Sequence, residues 1–116
     1  MELIIKYNAN LTYKEVCYAF QRLIFSLAMA TSYDEYSEDK EELNNILNTV
    51  KKWFIMYNES KNLSLVSLNE LEVIEKKLYD LDGKYLSSNG LYCEEAYEWI
   101  LQLQILIKKA KEKEID

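Results

Sequence analysis

Two pairs of carboxylates in this chain stand at a spacing that chemistry can use. Glu94 and Glu98 lie four residues apart, one turn on a helix, as do Glu38 and Glu42. Carboxylate oxygens placed this way can hold a divalent cation. Solvated faces of surface helices carry the same spacing, and we assign no metal to either pair. The segment Asp80-Leu81-Asp82-Gly83 has a faint likeness to a calcium loop. Its glycine falls at the fourth position instead of the sixth, and Leu91 stands where the bidentate glutamate belongs. A helix end followed by a loop explains the same residues.

Other routes to catalysis are poorly supplied. The chain has no histidine, the side chain best suited to proton transfer near neutral pH and the commonest metal ligand. That removes Ser–His and Cys–His nucleophile pairs and the Glu-x-x-His pairs of ferritin-like di-iron sites. Two isolated glycines, Gly83 and Gly90, cannot build a phosphate-binding loop. Cys17 and Cys93 lack CxxC spacing and read as reduced thiols that behave as small apolar residues. No catalytic residue, cofactor or metal is assigned.

Binding is better served. Asp34 to Glu42 holds six acids and one lysine, interleaved with Tyr33 and Tyr36. Acids at a helix start complement its dipole. The same run could instead present carboxylates to a basic groove that normally holds nucleic acid. Such a phosphate mimic needs further carboxylates on the same face, and Glu94, Glu95 and Glu98 are the natural candidates. Ten tyrosines add a second signal, because tyrosine is large, fairly rigid and favoured at interface hot spots. Tyr33, Tyr36, Tyr85 and Tyr92 fall in or beside expected loops. Tyr13, Tyr18, Tyr57, Tyr79 and Tyr97 fall within expected helices and read as core-edge residues. The candidate partner-binding set is therefore Tyr33, Asp34, Glu35, Tyr36, Glu38 and Asp39, with Tyr85 and Tyr92 beside it.

Charge narrows the partner. A net charge of −6 speaks against direct nucleic-acid binding and against anionic membranes. A protein with a basic surface is the expected partner. The first residues, Met1 to Lys6, carry an acid where an export signal wants positive charge, and no apolar run approaches the roughly 20 residues of a membrane span. A cytoplasmic location follows as the expectation. Lysine outnumbers arginine thirteen to one, and Asn, Ile and Tyr are plentiful. Lys, Asn, Ile and Tyr have AT-rich codons, so the composition is the one expected of AT-rich coding DNA, as in a low-GC bacterium, its phage or a mobile element.

The elements that must position these residues follow from the breakers and the apolar stripes. There is no proline, and 49% of residues are hydrophobic. The 116 residues make one domain, long enough to bury its own core. Thr12-Tyr13-Lys14-Glu15 matches a capping box, with Leu11 and Val16 placed as its staple. Val16, Phe20, Leu23, Ile24 and Leu27 then recur at helical spacing, and Cys17, Phe25, Ala28 and Met29 widen the stripe. Leu43, Ile46, Leu47, Val50, Phe54 and Tyr57 mark a second helix, with Ser37 as its expected cap. Ser67-Leu68-Asn69-Glu70 is another capping box, opening a helix through Leu71, Ile74, Leu78 and Leu81. Gly83 is expected as its left-handed end cap. Ala96, Trp99, Ile100, Leu103, Leu106, Ile107 and Ala110 define the last.

The predicted fold is all-α, a bundle of about four helices over residues 12–31, 38–57, 68–81 and 92–113. Residues 1–9 read as an apolar arm or short strand, with Leu63 to Val66 its available pairing partner. The expected function is a small acidic interaction module, an inhibitor or regulator from a phage or mobile element that occludes a partner's basic surface. The alternative is a homo-oligomeric scaffold, a homodimer included, joined through the broad apolar faces at Cys17 to Met29 and Trp53 to Met56. An enzyme ranks third.

Overall fold

Scarcity of breakers shows first in α1, a single helix of 31 residues from Glu2 to Ser32. A rise of about 1.5 Å per residue makes it about 46 Å long, close to the 50 Å long dimension of the molecule. The computed structural model describes residues 2–32, 38–85 and 91–115, with side chains described for residues 13–32, 38–85 and 92–111. The arm or strand expected over residues 1–9 is instead helical from Glu2 onward. Its expected pairing partner is not a strand either, since Leu63–Leu65 forms a 3₁₀ turn. The reason is local. A capping box offers a helix start but does not bar a helix arriving from upstream, and no proline or glycine interrupts residues 2–32.

Helix α2 spans Lys40–Ser60, entered through a turn at Glu38 and Asp39. Asp39 holds the cap position, but its side chain makes no capping hydrogen bond. The expected cap, Ser37, lies outside the described residues. At the other end Lys61 turns left-handed (φ 57°), and its N–H donates to the Tyr57 carbonyl at 2.7 Å. The chain then runs through the 3₁₀ turn, where the Asn62 side chain accepts from the Ser64 N–H at 3.1 Å.

Helix α3 spans Leu68–Lys84 and opens as its capping box predicts. Ser67 Oγ accepts the Glu70 N–H at 3.3 Å. It does not close at Gly83. That glycine lies inside the helix with an ordinary φ, and the helix runs past the expected end at Leu81. Glycine permits a left-handed turn without compelling one. Helix α4, Leu91–Ile115, completes the bundle.

Helices α1 and α4 form its centre. Helix α2 packs on α1, α3 packs on α4, and the 3₁₀ turn closes against α4. The apolar stripes supply the core: Phe20, Leu23 and Leu27 from α1, Leu43 and Val50 from α2, Leu71 and Leu78 from α3, and Ile100, Leu103 and Ile107 from α4 are fully buried. Each such side chain contributes about 1.5–3 kcal/mol relative to exposure. Phe20 also stacks on Phe54, with centroids 5.1 Å apart. Trp53 is buried, and Phe54 and Met56 are half-buried against the same core, so much of the broad end of α2 is used internally. Neither cysteine forms a disulfide; Cys93 is buried and Cys17 partly so. Ser26 and Gln104 are buried polar side chains that were not foreseen. Ser26 Oγ lies 2.9 Å from the Arg22 carbonyl and 3.2 Å from Glu95 Oε2. Among the described residues, no helix is long and apolar enough to cross a membrane.

Candidate protein-contact surface

A short connection makes α2 and α3 antiparallel neighbours, which sets the first turn of α2 beside the last turns of α3. Glu38 lies in the turn that leads into α2 and Glu42 in its first turn; on α3, Lys77 and Lys84 lie two turns apart. The two sets meet side chain to side chain. Lys84 Nζ donates to Glu38 Oε2 at 3.0 Å and to Asp39 Oδ2 at 2.9 Å. Lys77 Nζ stands 3.6 Å from Glu42 Oε1. Tyr85, the residue that ends α3, donates its hydroxyl to the same Asp39 oxygen.

These residues frame an open depression of about 350 Å³, lined by Glu38, Asp39, Glu41, Glu42, Asn45 and Lys77. Four carboxylates face two lysines across the helix pair. The carboxylates are not equivalent. The Asp39 side chain is only 17% exposed, whereas that of Glu38 is 79% exposed. Burial works against the Asp39 charge. The hydrogen bonds from Tyr85 and Lys84 outweigh it and hold the carboxyl below its ordinary range. Burial, with the Asp39 hydrogen bond added, pushes the Tyr85 phenol up to about 12. Hydrogen bonds to Asp39 and Glu38 raise Lys84. Asp39, Lys84 and Tyr85 thus form an internal clasp, while Glu38, Glu41 and Glu42 remain at the surface.

Of the residues predicted from sequence, the structure brings Glu38, Asp39 and Tyr85 together. Tyr33, Asp34, Glu35 and Tyr36 lie outside the described residues. Tyr92 packs half-buried against the core near the start of α4. Tyr85 stands in the turn after α3, as expected of a residue in or beside a loop, and is 8% exposed. The tyrosines expected at the core edge divide the other way: Tyr57 is buried, but Tyr18 and Tyr79 are 55% and 61% exposed. Sequence reasoning missed Lys77 and Lys84, whose seven-residue spacing on one helix face was the available signal. Glu95 does not join the acidic depression. It turns to α1, with Oε2 3.8 Å from Arg22 and within reach of Ser26.

A second exposed feature lies along α1 and α4. Tyr18 meets Trp99 edge-on at 5.3 Å, and the Arg22 guanidinium covers the Phe25 ring at 5.3 Å. Phe25 is 47% exposed. Among the described residues, no group of three or more acids and cysteines could hold a metal ion.

No family model matches the chain, and no solved structure matches it. Over 70 residues, 60% of its length, it is 37% identical to the alanine–tRNA ligase of Malacoplasma penetrans (strain HF-2). The likeness covers 7% of that ligase.

Proposed function

We propose that this chain is a protein-interaction module that binds a partner's basic surface through the start of α2 and the adjoining end of α3. One observation supports the reading above the rest: Glu38, Glu41 and Glu42 project around an open depression whose fourth carboxylate is already held by a clasp. Rigid backing of this kind presents charge to a partner without the cost of ordering a loop. The surface would steer and register a basic partner more than supply raw affinity.

On this reading the protein acts by occlusion, as an inhibitor or regulator, without turnover, and inside the cell. A phage or mobile-element origin accords with the composition and adds nothing to the site. The short likeness to alanine–tRNA ligase spans too little of that enzyme to bring its activity here. The test is affinity capture followed by mass spectrometry, with a Glu38→Lys, Glu41→Lys, Glu42→Lys variant as control. A basic protein captured by the natural chain and lost by the variant supports the proposal; an identical set of captured proteins contradicts it.

A second reading, self-association, draws on Tyr18, Phe25 and Trp99 along α1 and α4. Mass measurement in solution decides it, since a strict monomer at high concentration excludes it.

A further inference from the structure

The acidic depression continues into an apolar one. A second open depression of about 380 Å³ is lined by Thr49, Asn69, Glu70, Val73 and Ile74, again between α2 and α3. Asn45 and Thr49 lie one turn apart on α2, and Val73 and Lys77 one turn apart on α3, so the two depressions are consecutive stretches of one groove. The groove exists because α2 packs on α1 and α3 on α4, which leaves their mutual seam to be bridged by long side chains such as Lys77. Val73 is 54% exposed there, a β-branched side chain in water on an otherwise polar helix face.

We infer that this groove seats an amphipathic helix of the basic partner, its apolar residues against the exposed Val73 and the edge of the otherwise buried Ile74, and its lysines or arginines against Glu38 and Glu42. The inference rests on the proposed acidic contact surface and names the form of the partner that it takes. Charge complementarity fixes the occupant. Glu38, Glu41 and Glu42 line or flank one end and Glu70 the other, so an acidic or neutral helix gains nothing that a basic one does not exceed. Of the two lysines that face these carboxylates, Lys77 is held by an exposed ion pair at 3.6 Å, which an incoming cation can replace at little loss, and Lys84 keeps Asp39 when it gives up the exposed Glu38.

Geometry sets the register. Thr49 and Glu42 are seven residues apart, about 10 Å along the helix. A helix lying along the groove must therefore carry its basic residues about two turns from its apolar anchors, the pattern of helix-in-groove recognition. Asp39 and Thr49 are ten residues apart, so about three turns of ligand fill the groove.

The probe is a synthetic alanine-based peptide of about 15 residues, long enough to hold helix, with two leucines one turn apart and two lysines two turns further on. Binding is read by fluorescence anisotropy against the natural chain, Val73→Asp, and the pair Glu38→Lys, Glu42→Lys, each first shown by circular dichroism to keep its helix content. We expect the natural chain to bind this peptide at least tenfold more tightly than a control with alanine for leucine. Val73→Asp should erase that difference, and the charge-reversed pair should lose binding of both peptides. Binding that depends on Glu38 and Glu42 but ignores Val73 and the leucines overturns the groove and leaves the acidic surface standing. Binding that ignores Glu38 and Glu42 overturns both. Absence of binding to either peptide overturns the groove.

Discussion

The Tyr85 hydroxyl donates to the Asp39 carboxylate across 46 positions of sequence, tying the cap residue that follows α3 to the cap residue that precedes α2. Lys84 reinforces the same oxygen. Two residues that sequence assigned to a binding surface are thus engaged with each other. Tyr85→Phe keeps the ring packed and removes only the hydroxyl that donates to Asp39. It should lower stability by about 1.5–3 kcal/mol, the scale of a hydrogen bond to a charged group, as read by urea unfolding. No change in midpoint would show that Lys84 alone suffices.

The clasp also predicts how stability depends on pH. Tyr85 and Tyr57 both rise from the ordinary 10.0 to about 12, Tyr57 through burial first and the neighbouring Cys17 and Tyr13 next. Between those values the folded chain keeps phenolic protons that the unfolded chain has lost, so stability falls as pH climbs from 10 to 12. Asp39 behaves oppositely. Its folded carboxyl sits below the ordinary 3.8, so its contribution is present above that value and is lost as pH falls further. Unfolding free energy measured across pH should decline at both ends. Tyr85→Phe should make the alkaline decline shallower while Tyr57 keeps part of it.

Helix α3 can be strengthened and weakened at its two ends. A Cβ added at Gly83 meets nothing within 4 Å, and the residue is helical. Gly83→Ala should raise stability by about 1 kcal/mol. Ser67→Ala removes the cap on Glu70 and should cost a similar amount. The two sites share no partners, so the double variant should return near the natural midpoint. A loss of stability in Gly83→Ala would contradict the helical placement.

Lys61 is the described non-glycine residue with positive φ. Its left-handed backbone costs about 1 kcal/mol. Against this, its ammonium lies 3.1 Å from the Tyr13 hydroxyl and 4.5 Å from the ring centroid, a contact worth about 0.5 kcal/mol at an exposed site. Lys61→Gly should therefore gain about half a kcal/mol. In a Tyr13→Ala background the gain should approach the full backbone cost, and thermal melting of the four proteins would show it.

Gly83 and Lys61 together show where the sequence was legible and where it was not. The stripes Val16–Leu27, Leu43–Tyr57, Leu71–Leu81 and Ala96–Ile107 read correctly because burial of one face dictates their spacing. Helix ends read poorly because several residues can cap and few must. The glycine suited to a left-handed turn sits in a helix, while a lysine makes the turn. Thr12 likewise offers a start that α1 passes through. The candidate site was legible in its charges at Glu38 and Asp39 but not in its opposing lysines. Lys77 and Lys84 come to face them only through the antiparallel setting of α2 and α3, a tertiary fact with faint local signal. The burial of Tyr85 was illegible for the same reason, since its hydroxyl is held by Asp39 from a distant part of the chain.

The central claim is that Glu38, Glu41 and Glu42 make the partner contact. It is tested most directly by the affinity of the captured partner for the natural chain and for the triple lysine variant, measured at low and at moderate salt. The account predicts at least a tenfold loss in the variant at low salt and a smaller difference as salt screens the exposed charges. Equal affinity for both proteins at low salt would contradict it.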